Sequence, residues 1–229
     1  MIITIDGPAG AGKSTVAKLL AIKLSERTGT VFEYLDTGSM YRAVALSGIR
    51  QKVDWEVPSQ LEQVVREASI DVRNAKTFLD DQDVTDLVRS PEVTDKTKFA
   101  ANNPSVRELM VRLQQKIGKQ YLIDKKGLVT EGRDQGTVVF PNATCKFFVT
   151  ATAEERARRR LGEMKDRGEV GDFDQVLYSI NLRDAQDSSR EIGPLCEPKD
   201  ALRVVTDGMS VEEVVETLVR ETEKRTVTR

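Results

Sequence analysis

The segment Gly7-Pro8-Ala9-Gly10-Ala11-Gly12-Lys13-Ser14 constrains what this chain can fold into more than any other feature. It meets every fixed position of the G-x-x-x-x-G-K-[ST] pattern, a match that average composition produces by chance in roughly one chain in a hundred of this length. Before it, Met1 to Asp6 is a short apolar run; after it, Val16, Leu19, Leu20 and Leu24 recur at helical spacing. A strand, a glycine loop and a helix are therefore predicted in that order. Phosphate binding needs backbone N–H groups that face one point, which small residues permit, and the helix that follows turns its positive end toward the same anion. Lys13 supplies a point charge for β and γ phosphates, and the Ser14 hydroxyl is a candidate ligand of Mg2+. A glycine-rich turn without a ligand is the bland alternative.

The same alternation continues down the chain. Val31 to Leu35 reads as a strand that ends at Asp36-Thr37-Gly38, and Met40, Ala43, Val44 and Leu46 fit a helix. Further strands are predicted at Leu128 to Thr130, Lys146 to Thr150 and Leu202 to Thr206, and a capping box of Ser210 and Glu213 marks the start of the last helix. Strands recurring between helices predict a parallel sheet covered on both faces, with ligands beyond the carboxyl ends of the strands, so Asp6, Asp36 and Glu131 are expected at one rim. Between about residues 58 and 105 the pattern changes to short polar pieces such as Ile70 to Arg73 and Thr77 to Asp80, which suggest an inserted subdomain with small strands. Residues 154 to 198 are strongly charged, mostly helical and poor in large apolar side chains, as expected of a mobile flap. No internal repeat is visible, and the one biased tract is the polar tail Glu223 to Arg229.

Composition enters by exclusion. The chain has no histidine, which removes the usual general base and the commonest metal ligand, and with them Ser-His-Asp hydrolysis and histidine-bound zinc. Its 229 residues suit one domain with insertions as well as two, and 39% hydrophobic with 31% charged residues are enough to close a core. Cys145 and Cys196 have neither the number nor the spacing of a disulfide framework or a zinc site. No stretch approaches the ~20 apolar residues of a membrane span, and the start lacks the basic region of a signal peptide, so a cytoplasmic location is expected. The guanine-reading Asn-Lys-x-Asp is absent. A small kinase is the leading class.

Transfer to an acceptor that itself carries phosphate asks for fixed arginines beside the first site. Arg42 and Arg133, each close behind a predicted strand end, are the best placed, although either could be a surface arginine. Arg156, Arg158, Arg159, Arg160 and Arg167 crowd one predicted helix, and Arg183, Asp187 and Arg190 share a face of the next. Such arginines could stabilise a migrating phosphoryl group or cover a solvated face. They also raise the alternative of a nucleic-acid-binding regulator, opposed by the net charge of -2 and the 5% aromatic content. A kinase for UMP, AMP or a metabolite without a base is the nearer rival.

With these residues assembled, the chain resembles the bacterial cytidylate kinases of the nucleoside monophosphate kinase family over essentially its whole length. The resemblance rests on IDGPAGAGKST (5–15), LDTGSMYRA (35–43), EGRDQGTVVFP (131–141), ERARRR (155–160) and RDAQDSSR (183–190). It implies an α/β fold: a P-loop, five-stranded parallel sheet flanked by helices, with a helical lid and an inserted NMP-binding subdomain. The single domain would divide into core (about 1–36, 106–153, 199–229), NMP-binding region with insert (about 37–105) and lid (about 154–198). The implied activity is ATP-dependent phosphorylation of CMP and dCMP with Mg2+, in pyrimidine nucleotide metabolism, by a monomer that engages neither nucleic acid nor membrane.

Carried over by residue, the resemblance assigns Gly7, Pro8, Ala9, Gly10, Ala11, Gly12, Lys13, Ser14 and Thr15 to ATP, with Ser14 on the metal. Arg42 and Arg133 would hold the CMP phosphate; Thr37, Arg107, Asp134 and Arg190 would address cytosine; Arg183 and Asp187 would reach the pentose. Lys13, Arg42, Arg133, Arg158 and Arg160 would carry the catalytic charge. Cytosine offers an N4 donor beside O2 and N3 acceptors, which suit a carboxylate and guanidinium groups respectively; Asp134 could instead cap a helix. Two residues depart from the family pattern: Lys98, beside Thr97, replaces a serine that touches the pentose, and Gln135 replaces an aliphatic residue.

Overall fold

The computed structural model describes residues 1–227. The run before the loop is β1 (Ile2–Asp6) and the helix after it is α1 (Lys13–Thr28). Next, β2 (Phe32–Asp36) passes straight into α2 (Thr37–Arg50), because Asp36 Oδ1 accepts from Ser39 N at 2.9 Å and caps the helix at once. Thr37, expected at a strand end, is thus the first helical residue. The insert comprises α3 (Pro58–Glu67), β3 (Ile70–Arg73), β4 (Lys76–Leu79), β5 (Gln82–Asp83), a 3-10 turn at Leu87–Arg89 and α4 (Pro91–Asn102). Proline opens α3, α4 and the following α5 (Pro104–Ile123), where its missing N–H has no helical partner to lose. Then come β6 (Gly127–Gly132), a π-helical turn at Gln135–Val139, β7 (Cys145–Thr150), α6 (Ala153–Asp166), α7 (Phe173–Ser188), β8 (Leu202–Val205) and α8 (Val211–Val227).

The expected capping box is present, with Ser210 N donating to Glu213 and Glu213 N donating to Ser210 Oγ. Helix α8 then runs on into the tract expected as a polar tail. Arg27 of α1 pairs with Glu223 at 3.3 Å, and Arg225 donates to Asp200 O at 3.3 Å, so the polar residues there are tied to the body. Thr228 and Arg229 lie outside the described residues.

The main sheet has the order β2-β6-β1-β7-β8, and every neighbouring pair is parallel. Its centre is covered on both faces, so β6 is buried along its whole length with no alternation. On one face Val16, Leu20 and Leu24 of α1 and Val214 and Leu218 of α8 pack over Ile3, Ile5 and Phe147. On the other, Met40 and Val44 of α2 and Met110 of α5 share one core with Leu61, Ile70, Val72, Leu79 and Val93 of the insert. The small sheet is antiparallel in the order β3-β4-β5. Because the insert is welded into this core, it delivers Arg89 to the rim of the main sheet at a fixed place.

The register sets Asp6 level with Gly132 and Asp36 level with Glu131, which makes one rim of the C-terminal ends of β1, β2 and β6. The Asp6 side chain is taken up by the backbone there. Its fully buried carboxylate accepts from Gln135 N at 2.8 Å and Gly136 N at 2.7 Å, and burial raises its pKa to about 6 against those two bonds. Helices α6 and α7 pack on each other, and their only buried apolar side chains are Ala157 and Ile180. Among the described residues no helix is long and apolar enough to cross a membrane.

Candidate active site

The phosphate loop begins where β1 stops. Gly12 has φ 78°, a left-handed conformation that lets the loop turn into α1 without steric cost. No side chain caps α1, so the N–H groups of its first turn are open to an anion. Gly7, Pro8 and Ala11 are buried and anchor the loop, Ala9 is half-buried, and Gly10, Gly12, Ser14 and Thr15 are exposed on its open side. Lys13 is 5% exposed and donates Nζ to Pro8 O at 2.7 Å. Burial and the Arg133 charge lower its pKa to about 7, while Glu131 and Asp6 pull the other way.

Ser14 Oγ donates to Glu131 Oε1 at 2.7 Å, and the Tyr34 hydroxyl reaches the same oxygen at 3.5 Å. A hydroxyl and a carboxylate beside a phosphate cradle are hard oxygen donors, the kind Mg2+ prefers. Among the described residues no group of three or more His, Cys, Asp or Glu converges on a metal position. The donor set therefore fits an ion that draws its remaining ligands from phosphate and water. Glu131 is expected at the ligand rim from its place at the end of a central strand, but its partnership with Ser14, 117 residues away, is not legible in the sequence.

On the facing side, carboxylates hold arginines in place. Asp36 Oδ2 pairs with Arg42 at 3.1 Å and with Arg89, from the insert, at 3.2 Å. Asp187 binds Arg133 Nε at 2.7 Å through one oxygen and Arg190 through the other. Burial opposes ionisation of Asp187, but Arg133 and Arg190 outweigh it and hold the carboxyl below its usual range. Arg183 keeps an exposed surface, yet desolvation and the nearby Arg133 charge lower its pKa, opposed by Asp187. These guanidiniums repel one another, and a bound anion would relieve that repulsion.

Arg107 of α5 and Asp134 form an ion pair inside the protein, 3% and 5% exposed. Arg107 also donates to Ala101 O at 3.2 Å and lies 5.6 Å over the Tyr41 ring. The Asp134 side chain makes no helix-capping bond, and burial raises its pKa against the pull of Arg107 and Arg190. Thr37 is nearby but committed elsewhere, since its hydroxyl donates to Glu131 O at 2.7 Å.

The arginine-rich helix divides differently from expectation. Arg158 and Arg160 are exposed and pair with Glu155 at 3.4 Å and Glu163 at 3.1 Å on their own helix. Arg159 turns back to Thr206, donating to its carbonyl at 2.6 Å, and Arg156 is the one that reaches the phosphate loop. Arg156 donates to Ala9 O of that loop at 3.0 Å and pairs with Asp184 of α7 at 2.6 Å. At about 100° of rotation per residue, consecutive arginines cannot all face one site. Lys98 is likewise spent at the surface, 3.2 Å from Asp95 and 5.4 Å over Phe99, while the Thr97 hydroxyl donates to Val93 O.

A family profile described as cytidylate kinase matches residues 3–224. A cytidylate kinase of Rhodopirellula baltica is 42% identical over 220 residues, covering 96% of this chain and 91% of that one. Those of Caldanaerobacter subterraneus subsp. tengcongensis and Bacillus cereus are 42% identical over 224 residues (98% and 95% covered) and 43% over 221 (95% and 93%).

Proposed function

The chain belongs to the cytidylate kinase family, and from that premise we propose that it transfers the γ-phosphoryl group of ATP, with Mg2+, to CMP and dCMP. The observation that carries this reading is the buried Arg107–Asp134 pair on the same rim as the phosphate loop and the arginines held by Asp36 and Asp187. A phosphate cradle, a second anion site and a paired donor and acceptor for a base are the three recognitions a nucleoside monophosphate kinase needs.

In this reading the loop from Gly7 to Thr15 and Lys13 bind the ATP phosphates, and Arg42 and Arg133 grip the acceptor phosphate. Asp134 accepts from cytosine N4–H, the guanidinium of Arg107 donates to its ring acceptors with Arg190 behind, and Arg183 and Asp187 face the pentose. Ser14 and Glu131 would hold Mg2+, which when bound neutralises phosphate charge. An oxygen of the acceptor phosphate attacks the γ phosphorus in line. The new P–O bond forms as the bond to the β–γ bridging oxygen breaks, and ADP leaves with that electron pair. The nucleophile is already an anion, so no general base is required, in keeping with a chain that lacks histidine.

The division into core, NMP-binding region (about 37–105) and lid (about 154–198) belongs to the same reading. So does a cytoplasmic monomer working on free nucleotides. Arg158 and Arg160 would join the donor phosphates when the lid turns inward; the exposed pairs they must break are each worth at most about 1 kcal/mol. The test is an ADP-release assay with CMP, dCMP, UMP and AMP as acceptors at fixed ATP and Mg2+. CMP and dCMP should dominate, and no turnover with CMP rejects the reading.

A further inference from the structure

Helix α5 meets the chain that follows β6 along a single stripe. Arg107, Met110, Gln114 and Gly118 recur every three or four residues and are all buried. Arg107 pairs with Asp134. Two turns on, Gln114 Oε1 accepts from Gln135 Nε2 at 3.1 Å. Gln115 donates to Val139 O at 3.0 Å, and a methyl on Gly118 would stand 2.7 Å from the Phe140 ring. Gln135 is tied on its other sides too: its Oε1 accepts from Thr130 Oγ1 of β6 at 2.9 Å, and its N–H donates to Asp6. Gln114 and Gln135 are 0% and 1% exposed.

Stability does not explain this pair. Among the described residues Gln114 Nε2 has no hydrogen-bond partner, and an unpaired buried donor costs free energy that two aliphatic side chains would avoid. What an amide bond adds is direction. Apolar contact tolerates sliding and rotation, whereas a hydrogen bond weakens steeply once misaligned.

We propose that the Gln114–Gln135 bond is a positioning device for base recognition. It locks the register of α5 against the Asp134-Gln135 turn and so fixes how Arg107 and Asp134 present their polar edges. Neighbouring residues of the turn engage residues two turns apart on one helix face, so α5 cannot slip along its axis or roll without breaking both rungs. The inference rests on the assignment of Arg107 and Asp134 to cytosine, and it is specific to this chain: where the family pattern has an aliphatic residue, Gln135 partners a buried Gln114, so a lone leucine at either position strands the other amide and releases the register.

The test compares Gln114→Leu, Gln135→Leu and Gln114→Glu, each in the full chain, for KM of CMP, KM of ATP and the CMP-over-UMP ratio of kcat/KM. Gln114→Glu retains the acceptor for Gln135 Nε2. Both leucine variants are expected to raise KM for CMP and lower the CMP-over-UMP ratio by about tenfold, with KM for ATP within about twofold, while Gln114→Glu keeps the preference. Leucine variants within twofold of the unaltered chain for CMP overturn the proposal, and so does a parallel rise of both KM values. Gln135→Met, of similar volume, carries the same comparison if the leucine variants do not fold. Failure of the unaltered chain to use CMP overturns the assigned function itself; normal use of CMP with indifferent variants overturns only the positioning role.

Discussion

Arg107 and Asp134, 27 residues apart in sequence, are buried against each other, and the backbone of Gly193 closes over both. A cation and an anion withdrawn from water are tolerated only together, since removing one partner leaves the other uncompensated in a poorly solvated place. The pair is therefore both a structural commitment and, in the reading above, the reader of the base.

Asp134→Ala should lower unfolding free energy by about 3–5 kcal/mol, because it strands the Arg107 charge. The double variant Arg107→Met with Asp134→Leu should recover most of that stability while losing preference for CMP. Urea unfolding monitored by circular dichroism, beside the acceptor panel, separates the two effects. A double variant as unstable as Asp134→Ala contradicts the argument.

Gly193 has φ 61°, and a Cβ there would overlap Arg107 Nη2 and Asp134 Oδ2. Gly193→Ala should cost about 1–3 kcal/mol in backbone strain and raise KM for CMP with KM for ATP unchanged. Unaltered CMP kinetics would show that the segment does not bear on the pair.

Lys13 carries a pKa of about 7 against an ordinary value of 10.5, chiefly through burial. A lysine whose folded pKa is lowered costs stability below the folded value, and that cost is relieved as pH rises from about 7 toward the unfolded pKa. Lys13→Met should thus be more stable than the unaltered chain at pH 6, lose that advantage progressively as pH rises above 7, with more than half of it gone by pH 9, and retain almost no turnover. A triphosphate in the loop favours the charged lysine, so ATP binding at pH 8 should take up protons. Calorimetry in buffers of different ionisation enthalpy measures that uptake.

Helices α6 and α7 bury only Ala157 and Ile180 as apolar side chains and are joined to the phosphate loop through Arg156. So little apolar burial predicts a locally weak unit able to move against the core. Small-angle scattering should show a smaller radius of gyration with a bisubstrate analogue that links ATP to CMP; an unchanged radius rejects the lid. Arg156→Ala should speed proteolysis between residues 167 and 172 and slow turnover.

What could be read from the residues alone was everything written in short windows. The strand, glycine loop and helix around Lys13, the five parallel strands, the paired strands near residues 70 and 79 and the Ser210 capping box all follow from local period, propensity and capping chemistry. What the fold alone decided are choices among side chains that are far apart in sequence or differ only in helical phase. Ser14 meets Glu131 across 117 residues, Gln135 finds Gln114 across 21, and Arg156 rather than Arg158 or Arg160 faces the loop. Local pattern fixes which face of an element is apolar, but the angle at which two elements dock, set by packing of the whole core, determines which polar groups on those faces come within hydrogen-bond reach.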